Sequence, residues 1–183
     1  KSTLVIAIEG EKSILTVSSL KLVGATLNTN KVNGTNTNDD GKITGTIVAA
    51  TGDGSVETKV AATELTGVTF FSTEAELVSG KVQYLTVVGT ITGKMTVSAG
   101  TLTAGILNVA DDKDSKLTVA SGAVLSVPKD AKLTISEVSA AKDTISAVID
   151  GKLDIVAGDV VVNGNMTVTG EISVTEKGKL NVN

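Results

Sequence analysis

A tetrapeptide of the form Lys-Leu-x-(Val/Ile) recurs through the second half of the chain. In each copy two apolar residues lie two positions apart, with a small polar residue between them. This period of two is typical of a strand that buries one face and exposes the other. Its recurrence indicates a quasi-one-dimensional stack of β-coils. Copies begin at Lys116, Lys132, Lys152 and Lys179, and close variants begin at Lys94 and Asn165.

Glycines separate five apolar pairs in the last thirty residues. The pairs follow one another at steps of 7, 6, 6 and 8 residues, with Gly158, Gly164, Gly170 and Gly178 between them. Glycine adopts the positive φ of a tight corner at little steric cost. Three short strands joined by such corners form a turn of roughly 18 to 22 residues. The pairs are Leu153/Ile155, Val160/Val162, Met166/Val168, Ile172/Val174 and Leu180/Val182.

The hydrophobic residues are of the kind that fills a narrow core. They make up 41% of the chain, but aromatic residues reach only 2% and there is no Trp. Stacked Val, Ile and Thr suit a pleated, half-buried surface. We therefore predict an all-β fold, a single-stranded β-helix (β-solenoid) with short strands and Gly corners. A β-sandwich or hairpin meander is the alternative, supported by the Asn-Gly and Asp-Gly pairs at Asn163 and Asp150.

The pattern predicts one elongated β domain over residues 1–183. Its most regular repeats lie in 81–183. Residues 1–60 are less regular, with strands expected at 4–8, 14–17 and 43–48 and an exposed loop over 28–41, which is rich in Asn, Thr and Gly. A capping-box spacing from Thr73 to Glu76 predicts one short helical turn.

Missing residue types exclude several kinds of site. The chain has no Cys, no His and no Arg, and its formal net charge is −4. Thiolate chemistry, imidazole bases and bidentate phosphate contacts are therefore absent. With only one Tyr and two Phe, the chain also lacks the basic field and stacking platform that nucleic acids require. We expect no nucleic-acid partner, and no apolar run approaches the length of a transmembrane span.

Right-handed β-helices include many polysaccharide-cleaving enzymes. Pectate-lyase-like enzymes use a basic residue, typically Arg, beside acidic calcium ligands, and polygalacturonase-like enzymes place carboxylates beside His. The acidic pairs Asp39/Asp40 and Asp111/Asp112 resemble the second group, but both pairs lie in expected loops and the essential basic residues are missing. We therefore predict that the protein is not an enzyme.

The lysines that begin the repeats allow two interpretations. Lys116, Lys132, Lys152 and Lys179 could stack into a basic ladder that binds an anionic polysaccharide. Alternatively they solvate an outer face, with acids such as Asp154 and Glu171 between them. The negative net charge favours the second interpretation.

An acidic, Cys-free chain rich in Thr, Ser, Asn and Gly is typical of prokaryotic surface proteins. Lys1-Ser2, followed almost at once by an apolar strand, is consistent with an end left by processing after secretion. We therefore expect an extracellular or cell-surface location. The sequons at Asn33 and Asn165 are candidate glycosylation sites, although sequons also arise by chance in an Asn/Thr-rich chain.

One loop resembles the opening of a calcium-binding loop. Asn36, Asn38 and Asp40 place side-chain oxygens at alternate positions before Gly41, which permits the sharp turn that such a loop needs. The pattern lacks its usual first Asp, and Ile47 replaces the bidentate Glu. Calcium is thus a possible cofactor here, and a solvated turn is the alternative. A weaker candidate comprises Asp111, Asp112 and Asp114.

Two resemblances bear on function. The short strands and Gly corners of 81–183 are similar to bactofilins, whose triangular β-helices stack end to end into filaments. The Thr/Val/Asn-rich repeats, such as 164–174, resemble those of prokaryotic surface-layer, sheath and adhesin-type proteins. Both resemblances imply a structural subunit of an extracellular filament, sheath or surface layer. An adhesin-like or carbohydrate-binding β-helix module is the alternative.

Such a subunit is expected to form a homopolymer through open β-edges at its two ends. A strand at an edge can accept another strand by β-augmentation. The apolar strand near the N-terminus and the last repeat are the candidate assembly segments. The candidate assembly residues are Leu4, Val5, Ile6, Ala7 and Ile8 at one end and Leu180 and Val182 at the other.

Overall fold

The computed structural model describes residues 5–7, 14–22, 26–29, 42–50, 57–77 and 80–183. Within these ranges every regular element is a β-strand, and the strands join one sixteen-stranded sheet. The all-β prediction is confirmed. No helix long and apolar enough to cross a membrane occurs in these ranges.

The strands are long in the middle of the chain and short after it. Strands β5 and β6 have 21 and 20 residues, whereas β8 to β16 have four or five each. The strands are β1 Val5–Ala7, β2 Ile14–Lys21, β3 Thr26–Asn28, β4 Lys42–Ala50, β5 Glu57–Leu77, β6 Gly80–Ala99, β7 Thr101–Val109, β8 Lys116–Val119, β9 Val124–Val127, β10 Lys132–Ile135, β11 Ile145–Ile149, β12 Lys152–Val156, β13 Asp159–Val162, β14 Asn165–Val168, β15 Glu171–Thr175 and β16 Lys179–Val182.

From β8 onward each strand pairs in parallel with the strand three places further along the chain. The first series runs from the end of β6 through β8, β11 and β14. The second runs from the start of β7 through β9, β12 and β15. The third runs from the end of β7 through β10, β13 and β16. The chain therefore adds one strand to each of the three series in a fixed order. We call the last such set of three strands, β14, β15 and β16, the terminal layer.

In-register pairing places apolar residues in rows that cross the strands. Residues of the same parity along a strand lie on one face, so register partners share that face. In all three series the members of these rows that precede the terminal layer belong to one hydrophobic core cluster. The rows include Val97–Val119–Ile149–Val168 in the first series, Leu102–Leu125–Leu153–Ile172 in the second and Val109–Ile135–Val162–Val182 in the third.

The spacing of register partners differs from the spacing that the repeats predict. In the second series Leu102, Leu125, Leu153 and Ile172 are partners at steps of 23, 28 and 19 residues, obtained by subtracting the residue numbers. Only the last step falls within the predicted interval. The longer steps contain two insertions, the polar loop over 110–115 and the turns over 136–144. Both insertions lie between the third series and the first, so the strand pairing is preserved.

The first half of the chain contains antiparallel pairs. Strand β5 pairs antiparallel with β6 from Leu77 and Gly80 to Lys59 and Ala99, and its other edge pairs antiparallel with β3 and β4. Strands β1 and β2 are then parallel to β3 and β4. The predicted helical turn at residues 73–76 is wrong, because pairing with β6 holds this segment extended in β5. Most of the predicted loop, residues 30–41, lies outside the described ranges.

The glycines of the last thirty residues are not at positive φ, contrary to the corner role that the sequence predicts. Corners between the second and third series place non-glycine residues there, namely Asp130 (φ 66), Ala157 (φ 60) and Glu176 (φ 55). Gly158 and Gly178 instead lie against the backbone of the preceding set of strands. A Cβ would lie 2.5 Å from the Pro128 carbonyl oxygen at the first and 2.6 Å from the Ile155 carbonyl oxygen at the second. Close packing of stacked backbones therefore requires these glycines.

Single substitutions at two adjacent residues distinguish this packing role from the need for a residue that tolerates positive φ. Gly158→Ala is expected to destabilise the fold by about 1–3 kcal/mol, because the new methyl group overlaps fixed carbonyl oxygens. Ala157→Gly is expected to leave stability unchanged or raise it. The left-handed conformation costs a residue with a Cβ roughly 1–2 kcal/mol, which outweighs the entropy cost of glycine. Urea unfolding midpoints measure both, and a neutral Gly158→Ala would contradict the packing role.

A second matched pair tests the burial along one row. Leu133 and Leu180 belong to the same row, with Val160 between them, but Leu133 is fully buried and Leu180 only partly. Leu133→Ala is expected to cost about 2–5 kcal/mol of unfolding free energy. Leu180→Ala is expected to cost clearly less in dilute solution. Equal losses in chemical denaturation would show that the last strand is as well covered as the middle ones.

Candidate functional site

Among the described strands, the terminal layer has one unpaired edge along each of its three strands. Strand β14 pairs only with β11, β15 only with β12 and β16 only with β13 among the described strands. Backbone N–H and C=O groups along such an edge are available to another strand, and natural sheets usually protect them. Strand β14, with the sequence Asn-Met-Thr-Val, contains neither a charge nor a proline.

Apolar side chains lose their cover in the terminal layer. In the first series the exposed fraction rises from 1% at Ile149 to 38% at its partner Val168. In the third series it rises from 2% at Val162 to 69% at its partner Val182. In the second series Ile155 is fully buried and its partner Val174 is 48% exposed. All three series thus end in an exposed valine.

Met166, Ile172 and Leu180 lie beside these valines and complete the apolar surface. They are partly buried and pack against the core. We call the six apolar residues of the terminal layer the end patch: Met166, Val168, Ile172, Val174, Leu180 and Val182. Large exposed apolar patches mark interaction sites in soluble proteins.

Polar side chains continue from the layer below at the margin of the end patch. The Asn183 amide nitrogen donates to the Asn163 amide oxygen at 2.7 Å, and the Thr169 hydroxyl donates to an Asp150 carboxylate oxygen at 2.5 Å. These bonds join residues that follow β14 and β16 to the equivalent residues that follow β11 and β13. The end patch therefore combines an apolar centre with a polar margin, as protein interfaces do.

The repeat lysines do not form one basic ladder. Lys116 lies in the first series and Lys152 in the second, while Lys132 and Lys179 lie in the third with Asp159 between them in register. The amine of Lys179 lies 3.9 Å from a carboxylate oxygen of Asp159. Alternating charges at these positions agree with the solvated interpretation of the outer surface. The lysines Lys94 and Lys116, by contrast, are direct register neighbours.

Lys152 joins the terminal layer to the strand below it. Its amine lies 3.2 Å from a carboxylate oxygen of Glu171 on β15 and 3.7 Å from one of Asp154 on its own strand. The hydrogen bond that the Lys152 amine donates to Glu171 is the largest cause that raises the pKa of Lys152 above its ordinary value. Partial desolvation acts in the opposite direction.

The acidic loop at 111–115 serves to hold a neighbouring turn. Both carboxylate oxygens of Asp111 accept hydrogen bonds from Ser139, one from the backbone N–H at 2.7 Å and one from the hydroxyl at 2.6 Å. These bonds, the hydroxyl first, lower the pKa of Asp111. Asp112 accepts from the backbone N–H of Asp114 at 3.2 Å. Where the chain is described, no three carboxylates gather into a group that could hold a metal ion, so the weaker calcium candidate has no such group.

Several predicted site residues lie outside the described ranges. These are the calcium candidates Asn36, Asn38 and Asp40, the sequon residue Asn33, and the assembly residues Leu4 and Ile8. Calcium binding and glycosylation at these positions stay predictions. The other sequon residue, Asn165, begins β14 and is exposed, and its amide nitrogen donates to the Lys142 carbonyl oxygen at 2.5 Å.

The two predicted assembly segments lie at opposite ends of the sheet. The path of hydrogen-bonded strands begins at β1, which contains Val5, Ile6 and Ala7, and ends at β16, which contains Leu180 and Val182. Sequence reasoning missed the four other members of the same surface, Met166, Val168, Ile172 and Val174. Their position in the last repeat was the available signal.

A lateral groove lies beside the corners between the second and third series. It encloses about 860 Å³ and is lined by Lys129, Lys132, Lys177 and Lys179, with Ile106 63% exposed along it. Asp130, Asp159 and Glu176 also line the groove. It is thus a mixed-charge surface with a small excess of lysine.

Comparisons with protein-family models, curated proteins and solved structures give no match to this chain. Strand pairing, burial and charge therefore provide the evidence for function. Of the surfaces described above, the end patch departs furthest from an ordinary solvated surface. It exposes apolar residues at positions whose register partners in the preceding strands are buried.

The Lys152–Glu171 pair predicts a pH-dependent contribution from the terminal layer. A raised pKa means that the folded state holds this proton more tightly than the unfolded state. The stabilisation is therefore fully present below the unfolded lysine pKa of about 10.4 and is lost as pH rises through the folded-state pKa. We expect the difference in melting temperature between wild type and Glu171→Gln to shrink between about pH 9 and pH 12.

Glu176→Gln is the matched control, because Glu176 lies in the same region and forms no ion pair within the described ranges. Its melting temperature should follow that of the wild type across the same pH interval. A Glu171→Gln difference that stays constant with pH would show that the ion pair contributes no stability.

Proposed function

We propose that this protein is a structural subunit of an extracellular prokaryotic filament, sheath or surface layer. In this proposal the chain from β6 onward is a three-faced single-stranded β-solenoid, and subunits associate through the end patch. The observation that carries the proposal is the loss of burial at the last valine of all three series: 38% at Val168, 48% at Val174 and 69% at Val182.

The solenoid architecture is supported by the order of the strands and by their shared core. Successive strands enter the first, second and third series in turn, and every pair in these series is parallel. Inward residues of all three series join one hydrophobic cluster. A flat sheet would leave the outer series far from each other, whereas three faces around a common axis bring them into contact. A sandwich of antiparallel hairpins does not produce this order.

The assembly role is supported by what would be gained when the end patch is covered. A strand added to β14, β15 or β16 would satisfy an open edge and bury the exposed valine beside it. Burial of apolar surface contributes about 25 cal/mol per Å² removed from water. The polar margin formed by Asn183 and Thr169 supplies hydrogen-bonding groups at the corners. A homopolymer satisfies these needs on every subunit.

The extracellular location in this proposal is supported by composition alone. The chain is acidic, lacks Cys and is rich in Thr, Ser, Asn and Gly. Such a chain stays soluble through its outer polar residues and needs no disulfide, because its stability is distributed along the repeats.

An adhesin-like or carbohydrate-binding module is the second candidate. The lateral groove favours it, since four lysines beside the exposed Ile106 would suit an anionic polysaccharide. Three acidic residues in the same groove reduce its positive potential. The groove therefore supports this function less strongly than the end patch supports assembly.

Two lysine substitutions at similarly exposed apolar residues distinguish the candidates. Val182 is 69% exposed in the end patch, and Ile106 is 63% exposed in the lateral groove. Val182→Lys is expected to weaken self-association about 10- to 100-fold, because a buried valine contributes roughly 1.5–3 kcal/mol. Ile106→Lys should leave association unchanged. Sedimentation velocity and negative-stain microscopy measure the two proteins.

Each outcome has a direct interpretation. A wild-type protein that stays monomeric at high concentration would contradict the structural role. Binding of an acidic polysaccharide that Ile106→Lys changes and Val182→Lys does not would support the adhesin-like function instead. Thermal melting of both variants shows whether the fold is intact.

A further inference from the structure

We infer that a polar pocket at the bulge of β5 and β6 binds an uncharged saccharide unit. The pocket encloses about 450 Å³ and shares no lining residue with the end patch or with the lateral groove. It lies where β6 passes from the third series to the first. Saccharide binding is thus a further activity of the chain, separate from the association of subunits.

The pocket lies where both strands depart from regular pairing. The register of β5 and β6 shifts between Thr63 and Thr66, which marks a bulge. Glu64, within this bulge, has a left-handed φ of 46, and Gly93 on β6 has a φ of 100. A Cβ at Gly93 would overlap the Glu64 carbonyl oxygen. Bulges and left-handed residues with a Cβ are over-represented beside binding sites, where they direct a side chain.

The loop over 110–115 contributes Asp112 and Asp114 to the pocket wall and is fixed to β6. Ser115, only 1% exposed, accepts a hydrogen bond from the Gly93 backbone N–H at 3.3 Å. Its hydroxyl lies 3.4 Å from a carboxylate oxygen of Asp112, to which it donates, and Asp112 also accepts from the Asp114 backbone N–H at 3.2 Å. The wall is therefore ordered without a ligand, as a preorganised binding site requires.

The chemistry of the lining excludes several ligand classes. The described residues that line the pocket are three threonines, one glycine, two lysines and three carboxylates, with no apolar or aromatic side chain among them. Pockets for apolar ligands are lined mainly by hydrophobic and aromatic residues. Two lysines against three carboxylates give no positive field that would attract a polyanion. A ligand rich in hydroxyl groups fits this lining, because each hydroxyl both donates and accepts hydrogen bonds.

Lysine donors and carboxylate acceptors lie around the same space. The Lys42 amine lies 3.3 Å from a carboxylate oxygen of Glu64, and the Glu64 side chain is 61% exposed, so a ligand can reach it. Lys94 forms no ion pair within the described ranges, and its register neighbour is Lys116. In the inferred complex the Lys94 amine donates to one sugar oxygen, and a neighbouring sugar hydroxyl donates to Glu64.

Each pocket is expected to bind weakly, because no ring in its lining can stack on a sugar. A few hydrogen bonds of ordinary strength correspond to a Kd on the order of 1 mM. In an assembly the pocket would recur on every subunit, and avidity for a polymeric glycan would exceed the single-site affinity by about 10²- to 10⁴-fold. This gain in avidity alone rests on the structural role proposed above.

Single-site binding is measured on Val182→Lys, in which self-association is weakened. Its ¹H–¹⁵N spectrum is recorded with methyl glucoside, methyl galactoside and methyl mannoside at concentrations well above the expected Kd, and with glucuronate. At least one neutral glycoside should shift the amides of 63–66, 92–94 and 112–114 together, and glucuronate should shift them less. No shift with any neutral glycoside, or a shift with glucuronate alone, would overturn the inference.

Glu64→Gly separates a binding role from a structural one. Glycine adopts the left-handed conformation freely, and an exposed ion pair contributes little stability, so the urea midpoint is expected to stay or rise. Saccharide affinity should nevertheless fall at least about tenfold, because the carboxylate acceptor is lost. Asp130→Gly makes the same kind of change at φ 66 in the lateral groove and should leave saccharide affinity unchanged. Wild-type affinity in Glu64→Gly would contradict the assignment.

Lys94→Met and Lys116→Met form a second matched pair. The two lysines are register neighbours, but only Lys94 lines the pocket. Lys94→Met should weaken saccharide binding and Lys116→Met should not, and equal effects would overturn the role of Lys94 as the donor. Failure here is distinguishable from failure of the structural role. A wild type that binds the glycoside but never self-associates would overturn assembly alone, and one that assembles without glycoside shifts would overturn this inference alone.

Discussion

The structure depends on parallel strands that pair in register, so that each inward side chain lies directly above its counterpart in the next strand. This constraint decides which residues the core accepts. The rows consist mainly of Val, Ile and Leu, with Ala and Met at a few positions, and Phe70 is the one aromatic residue fully buried in the described core. Short branched side chains pack well at a repeat distance of about 4.8 Å between strands.

The same constraint leaves the apolar rows uncovered at the last described strands. Each further set of three strands covers the apolar rows of the preceding set and leaves its own apolar rows exposed. Ile149 and Val162 are covered because β14 and β16 follow them, and Val168 and Val182 stay exposed because no described strand follows those. Exposure at the terminal layer is therefore a consequence of the architecture, and covering it requires chain from outside the described strands.

Sequence reasoning recovered the strands that carry the repeat. Lys116, Lys132, Lys152 and Lys179 each begin a strand, and the first apolar residue of each copy faces the core. It could not assign these strands to series, because the insertions after Val109 and Ile135 shift the phase without changing the tetrapeptide. It also missed the reversal at β5, since parallel and antiparallel strands share the same period of two.

The candidate surface was partly accessible from sequence. Leu180 and Val182 were expected at an assembly end, and the structure places them in the last strand of the sheet. Their exposure could not be predicted from the sequence pattern, because Leu133 and Ile135 follow the same pattern and are fully buried. The role of Gly158 and Gly178 was misjudged for a related reason. A close approach between backbones distant in sequence leaves no local signal, whereas a turn does.

The long antiparallel pair of β5 and β6 has a consequence for how the molecule folds. Its register begins at Leu77 and Gly80, so its first contacts close a very short loop, whereas parallel partners such as Leu125 and Leu153 lie far apart in the chain. Contacts between near neighbours in sequence form fastest, because they cost the least loop entropy. We therefore expect this hairpin to act as the folding nucleus and to offer one edge to each half of the chain. Folding would then advance in two directions. Strands β4 and β3 would pair with β5, while β7 and β8 would pair with β6. Pulsed hydrogen exchange would detect that order as early protection at 57–99 and late protection at both outer edges.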